Sequence, residues 1–281
     1  MSAKHPIDLI QPIDELGYVI EEELATVLFL MMQLEKPVLL EGNPGVGKTE
    51  IANILFDYFG KRLIRLQCYE GLDVNNAIYE WNYQKQLLAI KLQEQSESSI
   101  QEKEELIFGE SYLLKRPLLD AITSEEQVVL LIDEIDRADE EFEAFLLELL
   151  SAFQISIPEL GTIQAKHKPI VVLTSNRTRE LSDALKRRCL YHWVNYPSKE
   201  KEIKILQKHI PNLEMQLAEQ IAEQVQNIRA LKLDKAPGIA ETIDWARGIA
   251  ALHGDENAMY KSLSCLLKSD ADIKLASEHI F

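Results

Sequence analysis

Eight consecutive residues, Gly42-Asn43-Pro44-Gly45-Val46-Gly47-Lys48-Thr49, restrict what this chain can fold into more than any other stretch. Glycines let backbone amides approach an oxyanion more closely than a Cβ would permit, and the Lys-Thr pair adds an ammonium and a hydroxyl. A short apolar run, Pro37 to Leu40, precedes the loop, and Ile51, Ile54, Leu55 and Tyr58 follow at helical spacing. An ordinary glycine turn before a helix is the bland alternative. The order strand, glycine loop, helix outweighs it, because loop amides and a helix N-terminus together cradle phosphate groups. The cradle is expected to run from Gly42 to Glu50, with Lys48 on the β and γ phosphates of ATP and Thr49 on Mg²⁺.

Apolar runs of the kind buried in a parallel sheet recur at Val128 to Ile132 and Ile170 to Thr174, and Lys61 to Gln67 alternates. The first of them ends in Asp133-Glu134, at the edge where an α/β sheet presents ligands. Asp133 is the candidate Mg²⁺ partner and Glu134 the candidate base that polarises an attacking water. On its own, such a pair is equally a solvated strand end; the upstream loop is what sharpens it. The second run ends in Asn176, which either holds the same water or caps a turn. Arg187 and Arg188 then stand out in an acidic chain. They either satisfy a helix C-terminus or supply a cation to a neighbouring subunit's site, with Arg188 preferred.

Strands alternating with helices imply an α/β fold, a three-layer αβα core with a parallel sheet, up to residue 196. Beyond Pro197 the strand signatures end and charged amphipathic helix continues, so residues 197–281 read as a small helical domain. Gln154 to Lys168 has the alternation and Gly161 of a hairpin, while Gln84 to Glu105 reads as an exposed polar excursion. The expected final helix is only a turn or two.

With 46 acidic residues against 30 basic and a net charge of -16, the surface would repel a phosphate backbone, which argues against nucleic acid as a partner. The three cysteines are far apart and odd in number, and the six histidines show no metal spacing, so zinc is not expected. No stretch has the length of a bilayer span or the pattern of a signal peptide, so a cytoplasmic protein is expected. Trp81, Trp193, Trp245, Met31 and Met32 sit at core spacing and receive no function.

Phosphate loop, Asp-Glu strand, Asn-ended strand, paired arginines and helical lobe is the order of Walker A, Walker B, sensor 1, arginine finger and lid in AAA+ ATPases, which the whole chain resembles. Within them it resembles the MoxR group and its CoxD-like branch. The residues carrying this are 39–50, Ile78-Tyr-Glu-Trp-Asn-Tyr83, Leu113-Leu-Lys-Arg-Pro-Leu-Leu119, Asp133-Glu-Ile-Asp-Arg-Ala138 and Leu185-Lys-Arg-Arg-Cys189. The resemblance implies a hexameric ring, inserts at helix 2 (within Gly71 to Trp81) and before sensor 1, and a chaperone working beside von Willebrand factor A domain proteins. It also implies a metalloenzyme client of the molybdenum hydroxylase type. One departure stands out: the expected place of the lid arginine called sensor 2, after Pro237-Gly238, holds Ile239 or Ala240, and Arg247 lies about two turns further on. Arg116 offers another basic group, or simply precedes a helix opened by Pro117. The expected activity is ATP hydrolysis coupled to remodelling of a protein. A nucleotide-dependent switch without strong turnover and a nucleic-acid motor are the alternatives.

Overall fold

The computed structural model describes residues 4–93, 109–158, 160–252 and 255–280. The chain opens with α1 (Ile10–Glu15) and α2 (Glu22–Leu34), then β1 (Val38–Gly42), the glycine loop, α3 (Lys48–Phe59) and β2 (Leu63–Gln67). Smaller elements follow: α4 (Val74–Ala77), β3 (Tyr79–Trp81), α5 (Tyr83–Gln93), β4 (Leu113–Lys115) and α6 (Pro117–Ile122). Next come β5 (Val129–Asp133), α7 (Glu140–Ala152), β6 (Gln154–Ile157), β7 (Gly161–Gln164), β8 (Ile170–Ser175), α8 (Asp183–Lys186) and β9 (Leu190–Val194). The rest is helical: α9 (Lys199–His209), α10 (Met215–Arg229), α11 (Ile239–Ala251), α12 (Ala258–Lys261), α13 (Leu263–Leu266) and α14 (Asp270–Ile280).

Contacts divide the chain into two compact units, one of residues 26–41 and 51–192, the other of residues 1–25, 42–50 and 193–281. The first is built on a five-stranded sheet in the order β2-β5-β8-β1-β9, in which β2, β5, β8 and β1 run parallel. Every residue of β5 is buried, as its unbroken apolar run requires of a strand covered on both faces. β2 lies at the edge and alternates, Ile64 and Leu66 buried, Arg65 and Gln67 exposed. Because the strands are parallel, Gln67, Asp133, Ser175 and Glu41 end at one edge, with Gln67 opposite Asp133 and Glu41 opposite Ser175. That edge is where open α/β sheets bind ligands.

Helix α7 is capped by Asp139, whose side chain accepts from the Phe142 amide at 2.8 Å, and it buries Phe142, Leu146, Leu149 and Leu150. β6 and β7 form an antiparallel hairpin, and β3 pairs with β4 in a second small ribbon. The polar excursion expected over Gln84 to Glu105 begins as α5 and continues outside the described residues. β9 and the β3–β4 ribbon have no counterpart in the sequence reading, and the expected last turn is the 11-residue helix α14.

The second unit has its own core around Leu206, Ile221, Val225, Ile228 and Trp245. Trp245 is fully buried and its indole N–H donates to the Met259 carbonyl at 3.2 Å, which makes it a packing residue as expected. Beside this core lies an ion pair almost sealed from water: the Arg229 side chain is 7% exposed and that of Glu202 1%. Arg229 Nη1 and Nη2 donate to the two Glu202 oxygens at 2.9 and 2.8 Å, and Nε donates to the Pro237 carbonyl at 2.9 Å. Glu202 also accepts from Gln226 and Thr242, and the guanidinium lies 4.7 Å from the Tyr196 ring centre. A charge pair removed from water this far is tolerable only with its remaining hydrogen bonds made.

Candidate active site

In the glycine loop, Gly45 and Gly47 have φ of 79° and 90°, conformations that favour glycine. Lys48 is buried, and its ammonium turns back into the loop, donating to the Gly42 and Asn43 carbonyls at 2.7 and 2.8 Å. Asn43, Pro44 and Gly45 are exposed, Val46 is buried, Thr49 is half-buried and Glu50 is exposed in the first turn of α3. The Ile239 amide donates to the Gly45 carbonyl at 2.8 Å. A Cβ on Gly238 would fall 2.7 Å from Gly45 Cα, so this approach requires glycine. Where the resemblance leads one to expect an arginine side chain, the turn before α11 thus offers backbone. Arg247 pairs instead with Asp244 of its own helix at 3.7 Å. Tyr18 lies against Gly47, and its phenol is pushed up by burial, with Glu21 and Glu50 adding to the effect.

At the strand ends, Asp133 is buried. Its Oδ1 accepts from Thr174 Oγ1 at 2.6 Å, and the same hydroxyl accepts from the Glu134 amide at 2.9 Å. Oδ2 meets Arg65 Nη2 at 2.5 Å. Glu134 adopts a left-handed backbone with φ of 55°, a strained conformation for a residue with a Cβ and a common one at functional sites. Its carboxylate accepts from Asn176 Nδ2 at 3.1 Å and Gln67 Nε2 at 3.1 Å, and pairs with Arg137 Nε at 2.9 Å. The structure therefore brings together Asp133, Glu134 and Asn176, three residues the sequence singles out. A buried carboxylate at the strand ends is a hard oxygen donor of the kind a divalent ion takes, and a loop of positive-φ glycines suits phosphate.

Asp136 fixes the approach to Asn176. It accepts from the Asn176 amide at 3.1 Å, the Thr178 amide at 2.8 Å and Thr178 Oγ1 at 2.7 Å. Burial alone would raise its pKa, but these bonds to the charged form win and hold it below its ordinary 3.8. Cys68, whose amide donates to the Asp133 carbonyl at 2.8 Å, has its thiol pushed up to about 12 by burial, with the nearby carboxylates adding. It is a packing residue rather than a nucleophile. On β1, Glu41 is buried and accepts from Ser175 Oγ at 3.3 Å and Tyr191 OH at 3.1 Å.

The paired arginines follow the short helix α8. Arg188 Nη1 donates to the Ala184 carbonyl at 2.8 Å, while its Nε is buried with no partner among the described residues; Arg187 is exposed. The segment ahead of them is tied to α7: buried Glu143 accepts from the Ser182 amide at 2.9 Å and pairs with Arg179, which also donates to the Ala138 carbonyl. Arg116 pairs with Glu80 at 2.5 Å and precedes the proline that opens α6.

Residues 37–189, which span loop, carboxylates, Asn176 and both arginines, match the family model described as "AAA domain (dynein-related subfamily)". The chain belongs to this AAA family. Proteins of the AAA+ class are P-loop nucleoside triphosphatases that generally hydrolyse ATP and usually work as oligomers. Among solved structures, this AAA chain is similar to RuvB of Thermotoga maritima, described as a Holliday junction branch migration motor. The identity is 16%, with 97% of this chain and 74% of that one covered at a TM-score of 0.53. A point mutant of the same protein matches at 18% identity and a TM-score of 0.55, covering 97% and 75%. At this identity the likeness is one of fold. No helix among the described residues is long and apolar enough to cross a membrane.

Sequence reasoning missed Arg65, Gln67, Thr174, Tyr18 and Gly238. The alternation of β2 was a usable signal: it places Arg65 and Gln67 on one face of a strand whose neighbour ends in two acids.

Proposed function

We propose that this chain hydrolyses ATP by in-line attack of water on the γ phosphate and uses the cycle to remodel a protein client. The single observation that carries this reading is the Asn176–Glu134 hydrogen bond at 3.1 Å beside buried Asp133. It gives a carboxylate an amide partner at a strand end, as positioning a water requires. In this reading Gly42 to Glu50 bind the phosphates and Lys48 leaves its loop carbonyls for the β and γ oxygens. Mg²⁺, held by Thr49 and Asp133, would neutralise charge on those oxygens. Glu134 polarises the water that Asn176 orients. Arg188, whose buried Nε lacks a partner among the described residues, completes the site of a neighbouring copy, with Arg187 the alternative.

Residues 1–196 then act as core and 197–281 as lid. The finer identity we infer is a cytoplasmic, hexameric MoxR-type chaperone of the CoxD-like branch. It would act with a von Willebrand factor A domain protein on a metalloenzyme client. Support comes from the sequence motifs, from β3, which lies within the Gly71 to Trp81 stretch where the resemblance implies an insert, and from the β6–β7 hairpin, which lies where it implies another. A nucleic-acid motor, the description carried by RuvB, is disfavoured by the net charge of -16. A switch without turnover is favoured only by the contact of Arg137 with Glu134.

The test is light scattering with and without MgATP, alongside ATPase rate against chain concentration, for wild type and Arg188→Ala. A ring that forms with ATP, specific activity that climbs with concentration and a slow but assembling variant are expected. A monomer with flat activity per chain contradicts the shared site.

A further inference from the structure

Asp133 is the carboxylate assigned to the divalent ion, yet it already carries a cation. Arg65 Nη2 lies 2.5 Å from Oδ2, and the same nitrogen donates to Gln67 Oε1 at 2.5 Å, which aims it. Both side chains come from edge strand β2, where Gln67 stands opposite Asp133 in register. The partners are unequally placed: the Asp133 side chain is 3% exposed and that of Arg65 52%. The carboxylate is fixed, its other oxygen bonded to Thr174 at 2.6 Å, while the guanidinium has water on its open side. It can swing off without being stranded in the interior. A guanidinium and a divalent ion cannot both sit on one carboxylate oxygen without strong repulsion, because two cations within a few ångströms repel even in a well-screened medium.

We propose that Arg65 is a tethered competitor for the metal: it neutralises Asp133 in the nucleotide-free protein and is displaced when Mg²⁺ arrives with nucleotide. Arg65 thereby sets the Mg²⁺ concentration the site needs and discourages loading by the ion alone. This rests on the nucleotide-binding reading above. It makes Arg65 a positioning residue acting through Asp133, not a group that touches substrate.

Competition has an unusual sign, since removing the residue should tighten metal-dependent binding, whereas loss of a merely structural residue would weaken it. The probe is a fluorescent N-methylanthraniloyl ATP bound to the full chain at fixed concentration while free Mg²⁺ is raised. Arg65→Met, which keeps an unbranched apolar stem, should lower the Mg²⁺ needed for half-maximal binding by about three- to fivefold. Arg65→Lys, which keeps the cation, should stay within about twofold of wild type on the same reasoning. If the methionine variant does not fold, as read by circular dichroism, Arg65→Gln replaces it with the same expected direction. A midpoint equal to or above that of wild type, in a folded variant that binds the probe, overturns the role of Arg65 alone. A wild type that binds no probe at any Mg²⁺ concentration overturns the nucleotide reading and this proposal with it.

Discussion

Two arginine–carboxylate pairs sit in this chain under opposite conditions. Arg229–Glu202 in the helical unit is sealed on both sides, bidentate, and finished by Gln226, Thr242, Tyr196 and the Pro237 carbonyl. Arg65–Asp133 at the sheet edge has an equally buried carboxylate but an arginine half in water. In the first pair neither partner can leave without stranding the other, so the pair serves as an anchor: through Pro237 it holds the Gly238 turn whose neighbour, the Ile239 amide, meets the Gly45 carbonyl. In the second, only the acid is fixed, so its cation is exchangeable. Burial of a carboxylate does not by itself separate architecture from function; the exposure of its partner does.

The comparison breaks most visibly under truncation. Arg229→Ala leaves Glu202 buried without its cation and should cost about 3–5 kcal/mol in chemical denaturation, if the protein folds at all. Gly238→Ala comes next: its Cβ would meet the Gly45 backbone at 2.7 Å, so loop and turn must separate, at about 1–3 kcal/mol and with weaker nucleotide binding. A smaller effect is expected from acid. The folded pKa of Asp136 is depressed, so its contribution is fully present above its ordinary 3.8 and is lost as pH falls through the lower folded value. The stability difference between wild type and Asp136→Asn should therefore be flat from neutral pH down to about its ordinary 3.8 and shrink as pH falls further. Smallest of all, Arg65→Ala should cost about 1 kcal/mol or less, because removing a half-exposed guanidinium lets water reach the Asp133 oxygen it covers, whereas no water reaches Glu202. Equal losses for Arg229→Ala and Arg65→Ala would remove the distinction between anchor and exchangeable cation.

What could be read from residues alone follows from how local each signal is. β1, the loop and α3 are legible because an apolar run, three glycines and a helical repeat lie within 22 residues, 37–58. β5 and β8 are legible because burial on both faces demands unbroken apolar runs. β9 is not: Leu190 to Val194 mixes Tyr, His and Trp on a partly exposed strand, and only its place beside β1 makes it one. Arg65 and Gln67 are not singled out by the alternation of Lys61 to Gln67, since nothing in the sequence says that β5 is the neighbour of β2. Gly238 announces a turn but not that another glycine's backbone lies against it. The final helix was underestimated because Asp270-Ala-Asp-Ile-Lys is polar and gains its one buried face only from the helices it packs on.

The most direct test of the central claim is Glu134→Gln, read by nucleotide affinity and by steady-state ATPase rate on the same preparation. The substitution keeps the shape and the acceptor that meets Asn176 but removes the base. The account predicts affinity within about twofold of wild type and turnover lower by about 10²–10⁴-fold, the usual contribution of general base catalysis. A variant that hydrolyses ATP as fast as wild type would contradict the assignment of Glu134, and with it the reading of the strand-end cluster as the hydrolytic site.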